Sequence, residues 1–171
     1  MPAMPPTPAM PVDLEELCPS HRQPVMDIFN YYVQNSQAAF PDKPLPGPFF
    51  DRLLEMTRGY PAVVAKDGSR VVGFAFLHPF HFAGTLRRTA EISYFLMPEA
   101  SGKGIGTMIL NRFVEQAIAQ GIDSILATIS SLNPESIEFH RKNGFQECGR
   151  LCRAGRKGGE DYDIVWMQRM L

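Results

Sequence analysis

Three glycines alternate with other residues in the segment Ser101-Gly102-Lys103-Gly104-Ile105-Gly106. A strand-like run, Thr89 to Met97, precedes this segment, and an amphipathic helix pattern begins at Ile105. A glycine-rich turn that opens a helix points backbone N–H groups into one concavity, where the helix dipole adds positive charge. Glycine also allows close approach to the backbone. The spacing therefore indicates a phosphate-binding turn, although a purely structural turn fits the same pattern.

Two common phosphate-binding motifs do not fit this turn. A dinucleotide-binding fingerprint requires glycine three residues after Gly104, where the chain has Thr107. A P-loop requires Ser or Thr directly after Gly-Lys, but Gly102-Lys103 is followed by Gly104. If the turn binds phosphate, it does so as a cradle of another kind.

Two ionisable residues lie where acid–base chemistry is possible. Glu91 interrupts a mostly apolar strand pattern, so its carboxylate requires a solvated cleft or a partner. His140 lies in a helix pattern, Pro134 to Lys142, and histidine is able to release a proton near neutral pH. The alternatives are an exposed or salt-bridged glutamate and an ordinary helix-surface histidine. Asn133 precedes Pro134 and is expected to cap this helix.

An aromatic segment near Glu91 contains two further histidines, His78 and His81. Their spacing resembles that of metal ligands, but no cysteine or carboxylate cluster accompanies them. We therefore expect no metal site.

The remaining patterns supply the elements that position these residues. Apolar side chains three and four apart predict a helix over residues 21–36, and Asp67-Gly68 between two β-branched runs predicts a hairpin. Other expected elements are a short strand at Val12 to Leu17, a helix at Phe49 to Met56, a helix from Ile105 that ends at Gly121, a fifth strand at Ser124 to Ile129, and a closing hairpin up to Trp166. Strands that cluster first and then alternate with helices indicate a mixed α/β fold.

Composition narrows the class of protein. The 171 residues, 44% of them hydrophobic, suit one compact domain with a real core. The net charge of -1 lacks the basic surplus of nucleic-acid-binding proteins. Three cysteines cannot all pair within one chain, which favours a reduced, cytoplasmic protein. No apolar run approaches the ~20 residues of a membrane span, so no membrane partner is expected.

Residues 1–11, MPAMPPTPAMP, contain five prolines and no charged side chain. A signal peptide needs a basic region followed by an uninterrupted apolar run, and this segment has neither. Because the prolines oppose both helix and central strand, we predict a disordered extension over residues 1–11. A single domain is predicted over residues 12–171.

Two motifs resemble those of the GCN5-related N-acetyltransferase (GNAT) superfamily. The glycine turn is similar to its Q/R-x-x-G-x-G/A loop, which binds the pyrophosphate of acetyl-CoA, with Ser101 in place of the usual Gln or Arg. The run Asn133-Pro134-Glu135-Ser136-Ile137-Glu138-Phe139-His140, followed by Asn143-Gly144-Phe145, is similar to N-x-x-S-x-x-x-Y/H-x-x-x-G-F. The segments 36–40, 89–91 and 161–168 further resemble the phosphinothricin and methionine sulfoximine N-acetyltransferase branch. The change at Ser101 removes one side-chain contact and is expected to weaken, not abolish, binding.

The resemblance implies a mostly antiparallel, twisted sheet that is flanked by helices and splayed between its fourth and fifth strands. It implies acetyl-CoA as co-substrate and these cofactor-binding residues: Tyr94, Phe95, Leu96, Gly102, Lys103, Gly104, Ile105, Gly106, Thr107 and Asn133.

The resemblance also suggests catalytic and acceptor-binding residues. Glu91 falls on the glutamate that serves the family as base, acting through water. His140 is the candidate acid, or a group that positions the thioester sulfur. Phe40 matches an aromatic residue of the acceptor pocket. Arg87 falls near a family arginine that could pair with an acceptor carboxylate, although an ordinary loop charge is equally consistent.

We therefore predict transfer of an acetyl group, by direct attack, to the amine of a small amino-acid-like acceptor such as phosphinothricin, methionine sulfoximine or methionine sulfone. The alternatives are a peptide N-terminus, a polyamine, an aminoglycoside, or a non-catalytic acyl-CoA-binding module. Because related enzymes are commonly dimers, the resemblance implies a homodimer.

Overall fold

The computed structural model describes residues 11–171 and contains one seven-stranded sheet. The predicted extension at residues 1–11 therefore lies almost wholly outside the described residues. The strands are β1 (Val12–Glu16), β2 (Ala62–Asp67), β3 (Arg70–Pro79), β4 (Thr89–Leu96), β5 (Ser124–Ser130), β6 (Gln146–Lys157) and β7 (Glu160–Met170). The helices are α1 (Arg22–Asn35), α2 (Phe49–Met56), α3 (Ile105–Ala119) and α4 (Pro134–Lys142). The spatial order of the strands is β1-β2-β3-β4-β5-β7-β6.

Side-chain alternation along the strands divides the core into two clusters, one on each side of the sheet. On one side, Ala75 and Ile92 pack against the apolar face of α3 at Phe113. On the other, Phe74 and Phe76 pack with residues of α1 and α2. Helices α1 and α2 cover one face of the sheet and α3 covers the other. The helices and strands therefore form one three-layer α/β structure.

The pairing of β4 with β5 is the one parallel pair of the described sheet, and it is short. Three residue pairs join these strands, from Thr89↔Ser124 to Glu91↔Leu126. Beyond Glu91 the rest of β4 pairs with β3 alone, so the sheet is open from that residue onward. The predicted splay between the fourth and fifth strands is confirmed.

The element bounds follow the sequence patterns closely. The helix predicted from Ile105 ends at Ala119, with Gly121 in the left-handed conformation just beyond it. The closing hairpin is longer than predicted, because β7 continues past Trp166 to Met170. Within residues 11–171, no helix is both long and apolar enough to span a membrane.

Candidate active site

The opening between β4 and β5 contains two adjoining cavities. The smaller, about 250 Å³, lies on the side of α1 and α2, and Glu91, Phe40 and Thr128 help to line it. The larger, about 620 Å³, runs past the glycine turn and the start of α4. Residues that line both cavities include Tyr94, Phe95, Asn133 and Ser136. A ligand in one cavity therefore reaches the other through the opened sheet.

The glycine turn forms one wall of the larger cavity. Gly102 and Gly104 have φ values of 72° and 79°, a left-handed conformation that favours glycine. A Cβ at either position would meet no atom within 4 Å, so the turn leaves space beside its backbone. Gly104 directly precedes α3, whose first backbone N–H groups have no partner within the helix. This geometry suits an anionic group held by main-chain donors.

Most residues predicted to bind the cofactor lie along this cavity. Lining it are Tyr94, Phe95, Leu96, Gly102, Gly104, Gly106, Thr107 and Asn133. Lys103 has an exposed side chain and Ile105 packs in the core, so neither side chain lines the cavity. The C=O of Leu96 accepts a hydrogen bond from the hydroxyl of Tyr32, which leaves one lone pair of that oxygen for another donor.

Gln37 supplies an additional polar group that the sequence motifs did not identify. This residue lines the larger cavity, and its Oε1 is buried without a hydrogen-bond partner among residues 11–171. A buried acceptor without a donor is costly, so this atom fits a ligand that carries N–H or O–H groups. Together with the open glycine turn, it makes the cavity suitable for a ligand with both amide and phosphate groups, such as acetyl-CoA.

Glu91 is the last residue of β4 that pairs with β5, so its carboxylate lies where the sheet opens. Its Oε1 accepts a hydrogen bond of 2.6 Å from the hydroxyl of Thr128, and Oε2 lies 3.8 Å from Nε2 of His78. The side chain is 23% exposed, so water reaches it. A carboxylate held on one oxygen and solvated on the other is able to accept a proton from a nearby amine or water.

His140 of α4 forms a buried pair with Tyr94 of β4. Its Nδ1 lies 2.7 Å from the C=O of Ser136, which can only accept, so Nδ1 carries the proton. Nε2 is then an acceptor and receives the hydroxyl proton of Tyr94 in a hydrogen bond. The two rings also stack, with centroids 5.4 Å apart.

Burial controls the protonation of this pair. It lowers the pKa of His140 to about 4, against the smaller opposing effect of the hydrogen bond to Ser136. It also raises the pKa of Tyr94 well above the usual tyrosine value. His140 is therefore neutral at pH 7 and its one N–H faces the backbone, so the direct acid role predicted for it does not fit this geometry. The alternative, that His140 positions the thioester sulfur, stays a prediction; in the structure its Nε2 contacts the hydroxyl of Tyr94.

The lowered pKa of His140 predicts how the free energy of unfolding depends on pH. Its folded pKa of about 4 lies below the unfolded value of ~6.5, so the unfolded state binds more protons between these pH values. The stability that neutral His140 contributes is complete above pH ~6.5, and about 3 kcal/mol of it is lost by pH 4. Denaturant unfolding of wild type and His140→Gln across pH 4–7 is expected to show a smaller pH dependence in the variant.

The matched control for this measurement is His81→Gln, at an exposed histidine in the loop before β4. This variant is expected to keep the pH dependence of the wild type. A wild-type slope in His140→Gln would show that His140 does not titrate as its burial requires.

Three further predicted features have different outcomes. Asn133 caps α4, with its Oδ1 accepting from the backbone N–H of Ser136 at 3.2 Å. Phe40 lines the smaller cavity and is 39% exposed. The structure does not bring Arg87 to this site, because it lies in a separate depression with Arg58 and Gln120. Within residues 11–171, no cluster of three or more His, Cys, Asp or Glu side chains is placed to hold a metal.

A sheet opened at one parallel pair, with a glycine-lined helix start on one side and a carboxylate on the other, defines an N-acetyltransferase type of fold. The chain belongs to the Acetyltransferase (GNAT) family, whose model matches residues 25–145. The family predicted from the two motifs is thus confirmed.

Three relatives define its neighbourhood within the family. A protein of Pseudomonas aeruginosa named L-methionine sulfoximine/L-methionine sulfone acetyltransferase is 32% identical over 149 residues, covering 84% of this chain and 86% of that protein. A phosphinothricin acetyltransferase from Sinorhizobium meliloti, solved in complex with AcCoA, has a TM-score of 0.88 at 32% identity, covering 94% of this chain and 88% of that chain. A ribosomal-protein-alanine N-acetyltransferase from Brucella melitensis has a TM-score of 0.85 at 30% identity, covering 92% of this chain and 99% of that one.

Proposed function

We propose that the protein transfers the acetyl group of acetyl-CoA to the primary amine of a small amino-acid-like acceptor, of the phosphinothricin, methionine sulfoximine or methionine sulfone type. The observation that carries this proposal is the meeting of two cavities at one opening in the sheet, with Glu91 on the acceptor side. The names and similarity of the relatives support the acceptor class.

In this proposal the larger cavity holds acetyl-CoA, which supplies an activated acetyl group. The main-chain N–H groups at the start of α3 bind its diphosphate, since they have no partner within the helix. The part of β4 beyond Glu91 binds its amide-containing arm, because β5 does not cover that edge. Gln37 adds a side-chain acceptor beside it.

Glu91 acts as the base, directly or through one water. An α-ammonium group releases its proton more readily than a lysine ammonium group, whose pKa is ~10.4, so a modest base gives the neutral amine that attacks the thioester. Thr128 fixes Oε1 of the carboxylate, which leaves Oε2 to receive the proton. The new N–C bond forms as the C–S bond breaks, and the electron pair of that bond goes to the sulfur. The nitrogen loses one further proton as it becomes an amide, and the thiolate takes up one proton from solvent, so the protons balance.

Tyr94 is placed to donate a hydrogen bond to the leaving sulfur, because it lines both cavities. In the free protein, the hydroxyl of Tyr94 donates its hydrogen bond to Nε2 of His140, which positions the phenol. The O–H turns from Nε2 to the sulfur when the thioester is bound. A thiolate is a fairly stable leaving group, with a thiol pKa of ~8.5, so a hydrogen bond from Tyr94 is enough to assist its departure.

The test is an assay of thiol release from acetyl-CoA with a panel of acceptors. Methionine sulfoximine, methionine sulfone and phosphinothricin are expected to give turnover that saturates with acceptor concentration. The Brucella neighbour supports a second candidate, a peptide N-terminus, so alanine-initiated peptides belong in the panel. Acetyl-CoA binding without turnover for any amine would instead indicate a non-catalytic acyl-CoA-binding module.

The diphosphate site makes its own prediction. Gly104→Ala introduces a side chain at positive φ and points its Cβ into the open space of the turn. Calorimetry is expected to show a dissociation constant for acetyl-CoA about tenfold higher, equivalent to ~1.4 kcal/mol. Gly68→Ala is the matched control, since Gly68 has a φ of 59° with similar open space but lies in the β2–β3 turn. Equal dissociation constants in the two variants would place the diphosphate elsewhere.

Three broader features belong to the same proposal. The single sheet that joins all seven strands supports one domain over residues 12–171. The free cysteines Cys18, Cys148 and Cys152 support a reducing, cytoplasmic location. A homodimer is proposed from the family resemblance, and sedimentation analysis of the purified protein tests it.

A further inference from the structure

The loop between α1 and α2 forms a wall of the acceptor cavity. Its residues Ala38, Ala39, Phe40 and Pro41 all line the smaller cavity beside Glu91. This part of the loop is neither helix nor strand, and its internal hydrogen bond joins only the N–H of Ala38 to Oγ of Ser36, at 2.9 Å. Contacts from elsewhere in the chain must therefore determine the shape of this wall.

Lys157, the last residue of β6, binds this loop from the far end of the sequence. Its Nζ donates hydrogen bonds to the C=O of Ser36 at 2.8 Å and to the C=O of Ala39 at 2.6 Å. Two carbonyls on either side of one bend are thus held by a single ammonium group. Hydrogen bonds that involve a charged partner are stronger than neutral ones, so this contact fixes the bend firmly.

Tyr162 of β7 holds the same loop through its ring. Phe40 stacks on Tyr162 with ring centroids 6.0 Å apart and an angle of 9° between the planes. The partner of Tyr162 across the hairpin is Gly155, and a Cβ there would lie 2.4 Å from the tyrosine ring. The glycine therefore makes room for the ring position that supports Phe40.

The β6–β7 hairpin, which carries Lys157 and Tyr162, contains a β-bulge. The β6–β7 register shifts between Leu151 and Gly155, and Arg153 within this bulge has a φ of 51°. The backbone N–H of Arg153 donates to Oδ1 of Asp163 at 2.7 Å, and Arg150 also contacts this carboxylate. A bulge fixed in this way gives the hairpin a defined direction.

The hairpin also lies outside the range that the family model matches. The family model matches residues 25–145, whereas β6 begins at Gln146. The matched range contains the glycine turn, Glu91 and His140. The support of the acceptor wall thus comes from a separate part of the chain.

We propose that Lys157 and Tyr162 are positioning residues that set acceptor selectivity, because they fix the loop 36–41 against the acceptor cavity. This inference rests on the proposed function for its substrate and adds a structural cause of selectivity. Residues 38–41 line the acceptor cavity, whereas Glu91 is held by Thr128 of β5. Displacement of the loop therefore alters acceptor binding and leaves the base in place.

The first test is Lys157→Met, which keeps the length of the side chain and removes the three N–H donors. The KM for the acceptor is expected to rise about tenfold. The KM for acetyl-CoA is expected to rise by a smaller factor, because the first residues of the loop, Ser36 to Ala38, also line the larger cavity. Lys157→Arg retains donors and is expected to recover most of the acceptor affinity. Lys66→Met removes a lysine whose partner is Glu15 of β1 and serves as the control with wild-type kinetics.

A second test distinguishes Tyr162 from a general effect on the hairpin. Tyr162→Phe keeps the ring stack and is expected to preserve the ranking of acceptors. Tyr162→Ala removes it and is expected to change the ratio of kcat/KM between methionine sulfoximine and a larger amine. An unchanged ratio in Tyr162→Ala would overturn the part of the proposal that concerns this residue.

A measurement independent of activity separates failure of this inference from failure of the proposed function. Amide hydrogen exchange in residues 36–41 is expected to be faster in Lys157→Met than in wild type, with exchange in β3 and β4 unchanged. Unchanged exchange together with an unchanged acceptor KM would overturn the inference. Inactive wild-type protein with faster exchange in the variant would support the loop contact and contradict the acetyltransferase proposal.

Discussion

Replacing Glu91 by Gln is expected to lower kcat about a hundredfold or more while leaving the affinity for acetyl-CoA unchanged. The amide is nearly isosteric but cannot accept the ammonium proton, and positioned general bases contribute a factor of ~10²–10⁴ to rate. Glu91 lies in the acceptor cavity and not along the glycine turn, so cofactor binding does not depend on it. Steady-state kinetics with methionine sulfoximine and calorimetry with acetyl-CoA measure the two effects separately.

The pH dependence of this variant adds a second signature. Without the base, the reaction depends on acceptor molecules that are already neutral, and their fraction rises about tenfold per pH unit below the pKa of the amine. The rate of Glu91→Gln should therefore recover in part between pH 7 and 9. Thr128→Val is the matched control, because it removes the 2.6 Å hydrogen bond and retains the carboxylate. Its expected loss is smaller, and full activity of Glu91→Gln at pH 7 would exclude Glu91 as the base.

The fold was predictable because its elements have clear periodicity and clear end signals. Asp67-Gly68 marked the β2–β3 hairpin, and Asn133-Pro134 marked the start of α4. The splay between β4 and β5 has no such local signal, since it depends on how two distant strands pair. Only the resemblance to a known superfamily supplied it.

The site was less predictable, because its key contacts join residues far apart in the chain. The spacing of motifs identified Glu91 and His140, but the burial of His140 and its bond to Tyr94 arise from the packing of α4 against the opened sheet. Burial reverses the expected protonation of the histidine, and no sequence pattern reports it. Arg87 is close to Glu91 in sequence but lies in a separate depression, and no local sequence pattern indicates that placement.

The proposed base and the proposed hydrogen-bond donor come from opposite faces of the sheet. Successive side chains of β4 alternate between the faces of the sheet, so Glu91 and Tyr94 point to opposite faces. In an intact sheet they could not act on one substrate. The opening after Glu91 removes the barrier between the faces, so a base on one side and a hydroxyl on the other both line the smaller cavity. The splayed strand pair is therefore a requirement of the proposed mechanism.

Tyr94→Phe is expected to lower kcat with acetyl-CoA by about tenfold to a hundredfold, because it removes the hydroxyl proposed to assist the departing sulfur. The ring remains, so its stack on His140 and its place in the cavity wall are retained. The loss should nearly disappear with an acetyl donor whose thiol is far more acidic, such as S-acetyl 4-nitrothiophenol, since that thiolate leaves without a proton. Measured as the ratio of kcat/KM values between wild type and variant, this difference separates leaving-group assistance from a structural defect.

His140→Gln and the double variant complete this experiment. Glutamine retains an acceptor for the phenol, so His140→Gln should lose less activity than His140→Ala. If Tyr94 and His140 work as one unit, the combination of Tyr94→Phe with His140→Ala should cost little more than the larger single loss. Losses that multiply would show that Tyr94 and His140 act independently. A Tyr94→Phe defect that is equal for both acetyl donors would show that the phenol does not act on the leaving sulfur. The thiolate would then leave without that hydrogen bond, and His140 would serve only to hold α4 against the sheet.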